Sequence, residues 1–300
     1  MTGGGGRWGR WVVIGIPYLW MLVLFLVPFL IVAKISLSTS IIAAPPYEPV
    51  FASLAEVWTK IGEFTAMNYG RLVSESIYVE SYLSSVWIAA SSTVLMLFVA
   101  YPLAYGMARA PKAWRPTLLM LVILPFWTSF LIRVYAWIGI LSEEGLLNWV
   151  LVSLGIVDEP ITFLATTRAV YIGIIYSYLP FMVLPLYSSL EKLDDTLIEA
   201  AQDLGCTPLQ AFWRVTFPLS IPGVIAGSFL VFIPAVGEFV IPDLLGGSDT
   251  VMIGKTLWEE FFNNRDWPAA SAVAITLLML LVVPIVVFQN AQAKAQEADR

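Results

Sequence analysis

Residues 81–108 read SYLSSVWIAASSTVLMLFVAYPLAYGMA, 28 positions without one Asp, Glu, Lys or Arg. A helix crossing about 30 Å of hydrocarbon needs roughly 20 apolar residues, because each adds about 1.5 Å. Other stretches reach that length. Trp11 to Ala33 holds 23 residues, Ala169 to Leu190 holds 22, Val215 to Gly237 holds 23 and Trp267 to Ala293 holds 27, all uncharged. One more, Pro116 to Ser142, is interrupted once, by Arg133. A backbone in lipid must satisfy its own hydrogen bonds, so these runs read as helices rather than lone strands.

The expected fold is therefore an all-α integral membrane protein with six transmembrane helices. The spans fall at about 11–33, 82–108, 117–141, 169–190, 219–241 and 268–288, within one transmembrane domain over residues 11–290. Residues 1–10 form a Gly-rich tail, read as disordered, and residues 291–300 a second tail. The first apolar run far exceeds the 7–15 residues or so of a secretory signal core, so it reads as an uncleaved anchor.

Composition agrees. The 300 residues are 59% hydrophobic and 13% charged, with mean hydropathy +0.80, whereas an ordinary soluble domain is about 45–50% apolar and about 25% charged. A soluble domain and a disordered chain are both excluded. The absence of His removes His-dependent acid–base catalysis and the commonest metal ligand. Cys206, the single cysteine, rules out an internal disulfide and a Cys-rich metal site, and reads as a structural thiol without an activating partner. A net charge of −6 argues against nucleic acid as a partner.

Basic residues set the orientation. With the N-terminus cytoplasmic, the inner segments carry nine: Arg7, Arg10, Arg109, Lys112, Arg115, Lys192, Arg214, Lys294 and Arg300. The outer segments carry four: Lys60, Arg71, Lys255 and Arg265. The positive-inside rule then places both termini in the cytoplasm. The inner loop from Glu191 to Pro218 is long and mixed in charge, with Leu193, Leu197, Ala200, Ala201 and Leu204 on one helical face. A cytoplasmic amphipathic helix between two spans needs a partner for that face.

No catalytic constellation can be assembled. Without His there is no Ser-His-Asp or Cys-His pair. Gly254-Lys255-Thr256 imitates the end of a phosphate-binding loop, but Asp249 stands where the first glycine belongs. A secondary carrier is expected to show inverted repeats or several charges along its pathway, and only Arg133 and Glu238 sit within spans. The chain reads as a pathway without its own engine.

The inner loop supplies a place to attach one. It reads Glu199-Ala200-Ala201, three residues, Gly205, nine residues, Val215, one residue, then Phe217-Pro218. Two small alanines let a short helix approach a partner closely, the glycine permits a turn that a side chain would obstruct, and Pro218 is tolerated near a helix start. This pattern resembles the cytoplasmic EAA loop of permease subunits of binding-protein-dependent ABC importers. Val215 and Phe217 depart conservatively from the Ile and Leu of that pattern. The stretches from Pro234 to Gly247 and from Trp258 to Pro268 resemble spermidine/putrescine permease subunits, closest to the putrescine type.

That resemblance implies a type I ABC importer permease architecture in the bacterial inner membrane, with Glu199, Ala200, Ala201, Asp203 and Gly205 coupling to an ATPase. It also implies a second related permease subunit as a heterodimer partner, two ATPase subunits and a periplasmic polyamine-binding protein. No cofactor is expected on this chain; ATP and Mg would sit on the ATPase. Another small solute, or an ion-coupled secondary carrier, is the alternative.

The acids are lopsided: 14 of 22 lie in outer segments, from Glu48 to Glu80, Glu143 to Glu159 and Asp243 to Asp266. An acidic vestibule would concentrate polycations, while a merely solvated outer face would look the same. Glu238 ends an uncharged run and is the expected cargo contact, against an interfacial acid already in water or a mate of Arg133, and Asp243 is a further candidate for the substrate pathway. Trp127, Tyr135, Trp137, Tyr176 and Tyr178 are aromatic candidates for the pathway through cation–π contacts, against interface belts and packing. Arg133 and Pro234 are candidates for a gate and a kink. Arg133 either snorkels to the outer interface or pairs with Glu238.

Overall fold

The computed structural model describes residues 5–51 and 56–298. Fifteen α-helices and one short hairpin appear among them. The first helix, α1 (Gly5–Met21), runs through a π-helical turn, Leu22–Leu26, into α2 (Val27–Ser36). Residues Gly5 to Arg10, expected as tail, are thus helical in the backbone, and residues 1–4 lie outside the described residues. The hairpin pairs β1 (Thr39–Ser40) with β2 (Tyr47–Glu48) antiparallel. There follow α3 (Glu56–Lys60), α4 (Met67–Ser74), α5 (Ser76–Arg109), α6 (Arg115–Ile123), α7 (Phe130–Leu141), α8 (Leu146–Ser153) and α9 (Thr167–Leu190). Then come α10 (Asp195–Asp203), α11 (Pro208–Ala211), α12 (Phe217–Val236), α13 (Val240–Leu245), α14 (Ile253–Trp258) and α15 (Trp267–Ala298). Within the expected C-terminal tail, helix α15 continues to Ala298, and residues 299–300 lie outside the described residues.

Among the described residues, four helices are long and apolar enough to span a membrane: Val13–Ser36, Ser76–Arg109, Thr167–Leu190 and Pro208–Val236. The segment around Arg133 is not one straight span. Arg115–Trp127 and Phe130–Ser153 meet at 90°. Pro125 explains the break: it tightens Leu124–Trp127 into a 3-10 turn, and proline neither donates a backbone hydrogen bond nor tolerates an ordinary preceding turn. Thr128 and Ser129 then take extended ψ values of 153° and 136°. The fifth expected span starts earlier and ends sooner than 219–241, because Gly237 and Glu238 leave the helix after Val236. The sequence of α15 is apolar from Trp267 through Phe288.

The chain divides into two units. One comprises residues 1–79 and 257–300. In it α15 packs on α2, α4 and β1. Charges there are paired across long sequence distances. Arg71 bonds Glu75 at 2.7 Å and Asp266 at 2.9 Å, and the buried Glu260 accepts from Tyr78 at 2.8 Å and from Asn264 at 3.1 Å. The Lys34 ammonium donates to the Pro49 carbonyl and lies 4.2 Å from the Tyr47 ring centroid and 4.7 Å from that of Phe51.

The other unit, residues 80–256, is built on α9 against α12. Glycines make that crossing close. A Cβ on Gly223 would stand 2.6 Å from the Ser189 Cβ and 2.8 Å from the Pro185 carbonyl; one on Gly227 would stand 2.8 Å from the Met182 Sδ. Met182, Val183, Leu186, Val231, Ala235 and Val236 are fully buried there. Helix α13 folds back onto α7 and α9, burying Ile241 and Leu245.

Gly223→Val should overpack the α9–α12 crossing and cost about 1–3 kcal/mol. Gly106→Ala, whose new methyl meets nothing within 4 Å, should leave stability unchanged or slightly raised. Thermal unfolding of the purified chain in detergent checks both; equal melting points for the two variants would show that the crossing is not close-packed.

Candidate functional site

The break between α12 and α13 gathers the polar chemistry of the second unit. Val236 ends α12, and the N–H groups that open α13 have no preceding turn to receive them. Glu238, 6% exposed, supplies an acceptor. Its Oε1 accepts from the backbone N–H of Phe239 at 3.1 Å, Val240 at 3.0 Å and Ile241 at 3.3 Å. Its Oε2 accepts from the Tyr178 hydroxyl on α9. The carboxylate is tied down by uncharged donors, and among the described residues it makes no ion pair.

A cavity of about 400 Å³ opens beside it, lined by Arg133, Ser177, Tyr178, Pro234, Glu238 and the rings of Phe126, Phe130, Phe181 and Phe239, with Gly237 and Val240. Arg133 does not snorkel: it is 9% exposed, with its guanidinium 4.9 Å from the Phe126 ring centroid and 5.8 Å from that of Phe130. Nor is it joined to Glu238 by an ion pair among the described residues. Among the described residues its Nε and Nη1 have no hydrogen-bond partner, and neither has the Ser177 hydroxyl.

Four expected site residues therefore meet here: Arg133, Tyr178, Pro234 and Glu238. Trp127 is 72% exposed and Tyr135 is exposed, and neither lines the cavity. Trp137 and Tyr176 pack edge to face, 5.2 Å apart, outside the lining. Asp243 instead pairs with Lys255 at 3.7 Å. Sequence reasoning missed Ser177 and the four phenylalanines. The one available signal for Ser177 was a hydroxyl in an apolar run beside Tyr178.

The segment with the EAA spacing forms a capped helix-turn-helix. Asp194 caps α10: the Thr196 N–H, and then its hydroxyl, hold the Asp194 carboxyl below the usual carboxylate range. The far end closes as a Schellman turn, with Gly205 N–H on Gln202 O at 2.8 Å and Cys206 N–H on Ala201 O at 3.0 Å. Gly205 has φ +87°, and a Cβ there would meet nothing within 4 Å. The turn thus needs glycine for its backbone conformation rather than for space within this chain. Thr207 and Gln210 form a capping box on α11. Asp195 is paired with Arg109 at the end of α5, and Glu191 with Arg115 at 3.3 Å.

Of the expected apolar face only Ala201 is buried. Glu199, Ala200, Asp203 and Gly205 are exposed, as are Leu197, Leu204 and Leu209. Cys206 has a neighbour after all, the Arg214 Nη1 at 3.9 Å from its Sγ. Among the described residues no group of three or more Asp, Glu or Cys side chains is placed to hold a metal.

Residues 61–295 match the family described as "Binding-protein-dependent transport system inner membrane component". The chain is similar to the spermidine/putrescine transport system permease protein PotB of Escherichia coli (strain K12), 46% identical over 228 residues, covering 76% of this chain and 82% of that protein. PotB of Haemophilus influenzae is 44% identical over 227 residues, covering 76% and 79%. The fold is similar to a chain of a bacterial ABC transporter involved in alginate import, with TM-score 0.70 and 96% of each chain covered. At 16% identity that likeness is one of fold alone.

The break makes its own test. Tyr178→Phe should cost about 1–3 kcal/mol, the penalty for a buried acceptor losing its donor. Glu238→Ala should cost more, because it strands three backbone N–H groups and the tyrosine together. Melting temperatures in detergent check the order; a reversed order would mean that the carboxylate is not what holds the start of α13.

Proposed function

The chain belongs to the family of binding-protein-dependent transport system inner membrane components, and on that premise we propose that it is the membrane-spanning permease subunit of an ATP-driven importer of polyamines, putrescine or spermidine. The observation that carries the cargo is the 46% identity to PotB over 228 residues, 76% of this chain. The all-α fold is that of a type I ABC importer permease. Both termini face the cytoplasm, in line with the bias of basic residues.

The chain works with a second related permease, two ATPase subunits and a periplasmic binding protein. ATP and Mg are bound by the ATPase, and this chain contributes no catalytic group. The α10–α11 turn is the coupling element. Its exposed Leu197, Leu204 and Leu209 give an ATPase cleft apolar surface to cover, and the Schellman turn holds that surface in one shape. On the opposite side of the membrane the acidic loops attract polycations. Glu238 is the cargo contact: its hydrogen bonds come from uncharged donors, so its negative charge remains for an ammonium.

Reconstitution of the complete transporter in liposomes tests this. Uptake of labelled putrescine or spermidine is expected to require ATP and the loaded binding protein, and to persist when ion gradients are collapsed. Uptake that follows an ion gradient without ATP would make the chain a secondary carrier; stimulation only by a binding protein loaded with another solute would change the cargo. Gly205→Asp should leave the permease inserted but weaken its hold on the ATPase, and Ala201→Glu should do the same through a buried carboxylate. Normal transport per ATP in Gly205→Asp would remove the turn from coupling. Glu238→Gln should slow uptake about tenfold, roughly 1.4 kcal/mol of barrier, with basal ATPase activity retained. Wild-type uptake in that variant would remove Glu238 from the pathway.

A further inference from the structure

The cavity beside Glu238 has the wrong balance of groups for a cation alone. Arg133 is 9% exposed and Ser177 is 2% exposed, both line the cavity, and among the described residues the Arg133 Nε and Nη1 and the Ser177 Oγ have no partner. A buried guanidinium with idle N–H groups is costly and calls for an acceptor. The acceptor within this chain is already committed, since Glu238 serves three backbone N–H groups and Tyr178. A protonated polyamine offers only donors and would be repelled by the guanidinium. The missing group is therefore an oxyanion.

We infer that Arg133 and Ser177 form half of an anion site, completed by a carboxylate that the second permease chain brings to this cavity. The inference rests on the proposed pairing with such a chain. A carboxylate tethered in a neighbouring span can be held beside Arg133 without crossing the apolar layer as a free ion. The consequence is a change of sign. Alone, the cavity holds one cation and one anion, Arg133 and Glu238. Once a second carboxylate neutralises Arg133, the charge of Glu238 is left in excess, and the aromatic-walled cavity becomes attractive to an alkylammonium. The polyamine pathway is then complete only in the assembled pair, and Arg133 is a positioning residue for it.

The test uses this chain both alone and co-expressed with its second permease chain, ATPase and binding protein. Arg133→Gln should lower recovery of the second permease chain on affinity purification by about tenfold or more, and polyamine uptake with it, while Arg133→Lys should retain part of both. The same Arg133→Gln variant, purified alone, should melt at or above the wild-type temperature, because an unpaired charge has been removed. Arg133→Glu should be rescued, in pairing and uptake, by an Asp or Glu to Arg exchange at one position in the spans of the second chain. Wild-type pairing and uptake in Arg133→Gln would overturn the inference, and so would a clear loss of stability of that variant alone. A rise in the melting point of the lone wild-type chain with added sodium acetate, absent from Arg133→Gln, would place the anion in solution and overturn its assignment to a second chain. Failure of the wild-type chain to recover any second permease would instead count against the proposed function itself.

Discussion

A helix that stops inside an apolar layer strands its first backbone N–H groups where no water can reach them. Glu238 meets that constraint at the α12–α13 break by offering one carboxylate oxygen to three successive N–H groups and the other to Tyr178. Because the need is met, α13 can turn back and bury Ile241 and Leu245 against α7 and α9. The turn leaves space between α7, α9 and α12 that a continuous helix would have filled. The acid that solves a folding problem is thus also the carboxylate that lines the cavity alongside Arg133.

The same accounting operates in the unit formed by residues 1–79 and 257–300. Arg71 holds both Glu75 and Asp266, and the buried Glu260 takes Tyr78 and Asn264. Asp266 also accepts from the Ala269 N–H at 3.0 Å, capping α15. Each acid that loses water there gains at least one fixed donor. Arg71–Asp266 and Tyr78–Glu260 join residues 195 and 182 positions apart in the chain, and the first fastens α4 to the start of α15.

Much of this was legible because lipid imposes a simple rule on sequence. Uncharged runs marked the long helices, and Glu238, the acid that closes the run from Val215 to Gly237, was identifiable by its cost in that position. Gly205 was legible too, although for another reason than the one found: its φ of +87° matters, not crowding by neighbours. The bend at Thr128–Ser129 was hidden, since Pro125 sits in a helix-compatible apolar run and prolines at 180, 185, 222 and 234 are carried inside α9 and α12 without ending them. The aromatic assignments were weak for a physical reason. A helix apolar on every side carries no phase, so nothing in the sequence separated Tyr178, on the cavity, from the exposed Tyr135 or from Tyr176 against Trp137. The Asp243–Lys255 pair was equally hidden, because it depends on α13 turning back.

The helix Pro208–Val236 is continuous from the capped turn at Thr207 to the break at Gly237. Its 29 residues make a rod of roughly 44 Å at about 1.5 Å per residue. One end is grasped by the α10–α11 turn, and the other carries Pro234 and the backbone of Glu238. Its hydrogen-bond ladder is not continuous: Pro218, Pro222 and Pro234 each lack a backbone N–H, and the turn at Phe212–Thr216 is wide. As a strut it is jointed rather than rigid, with its compliance spread over four places along its length.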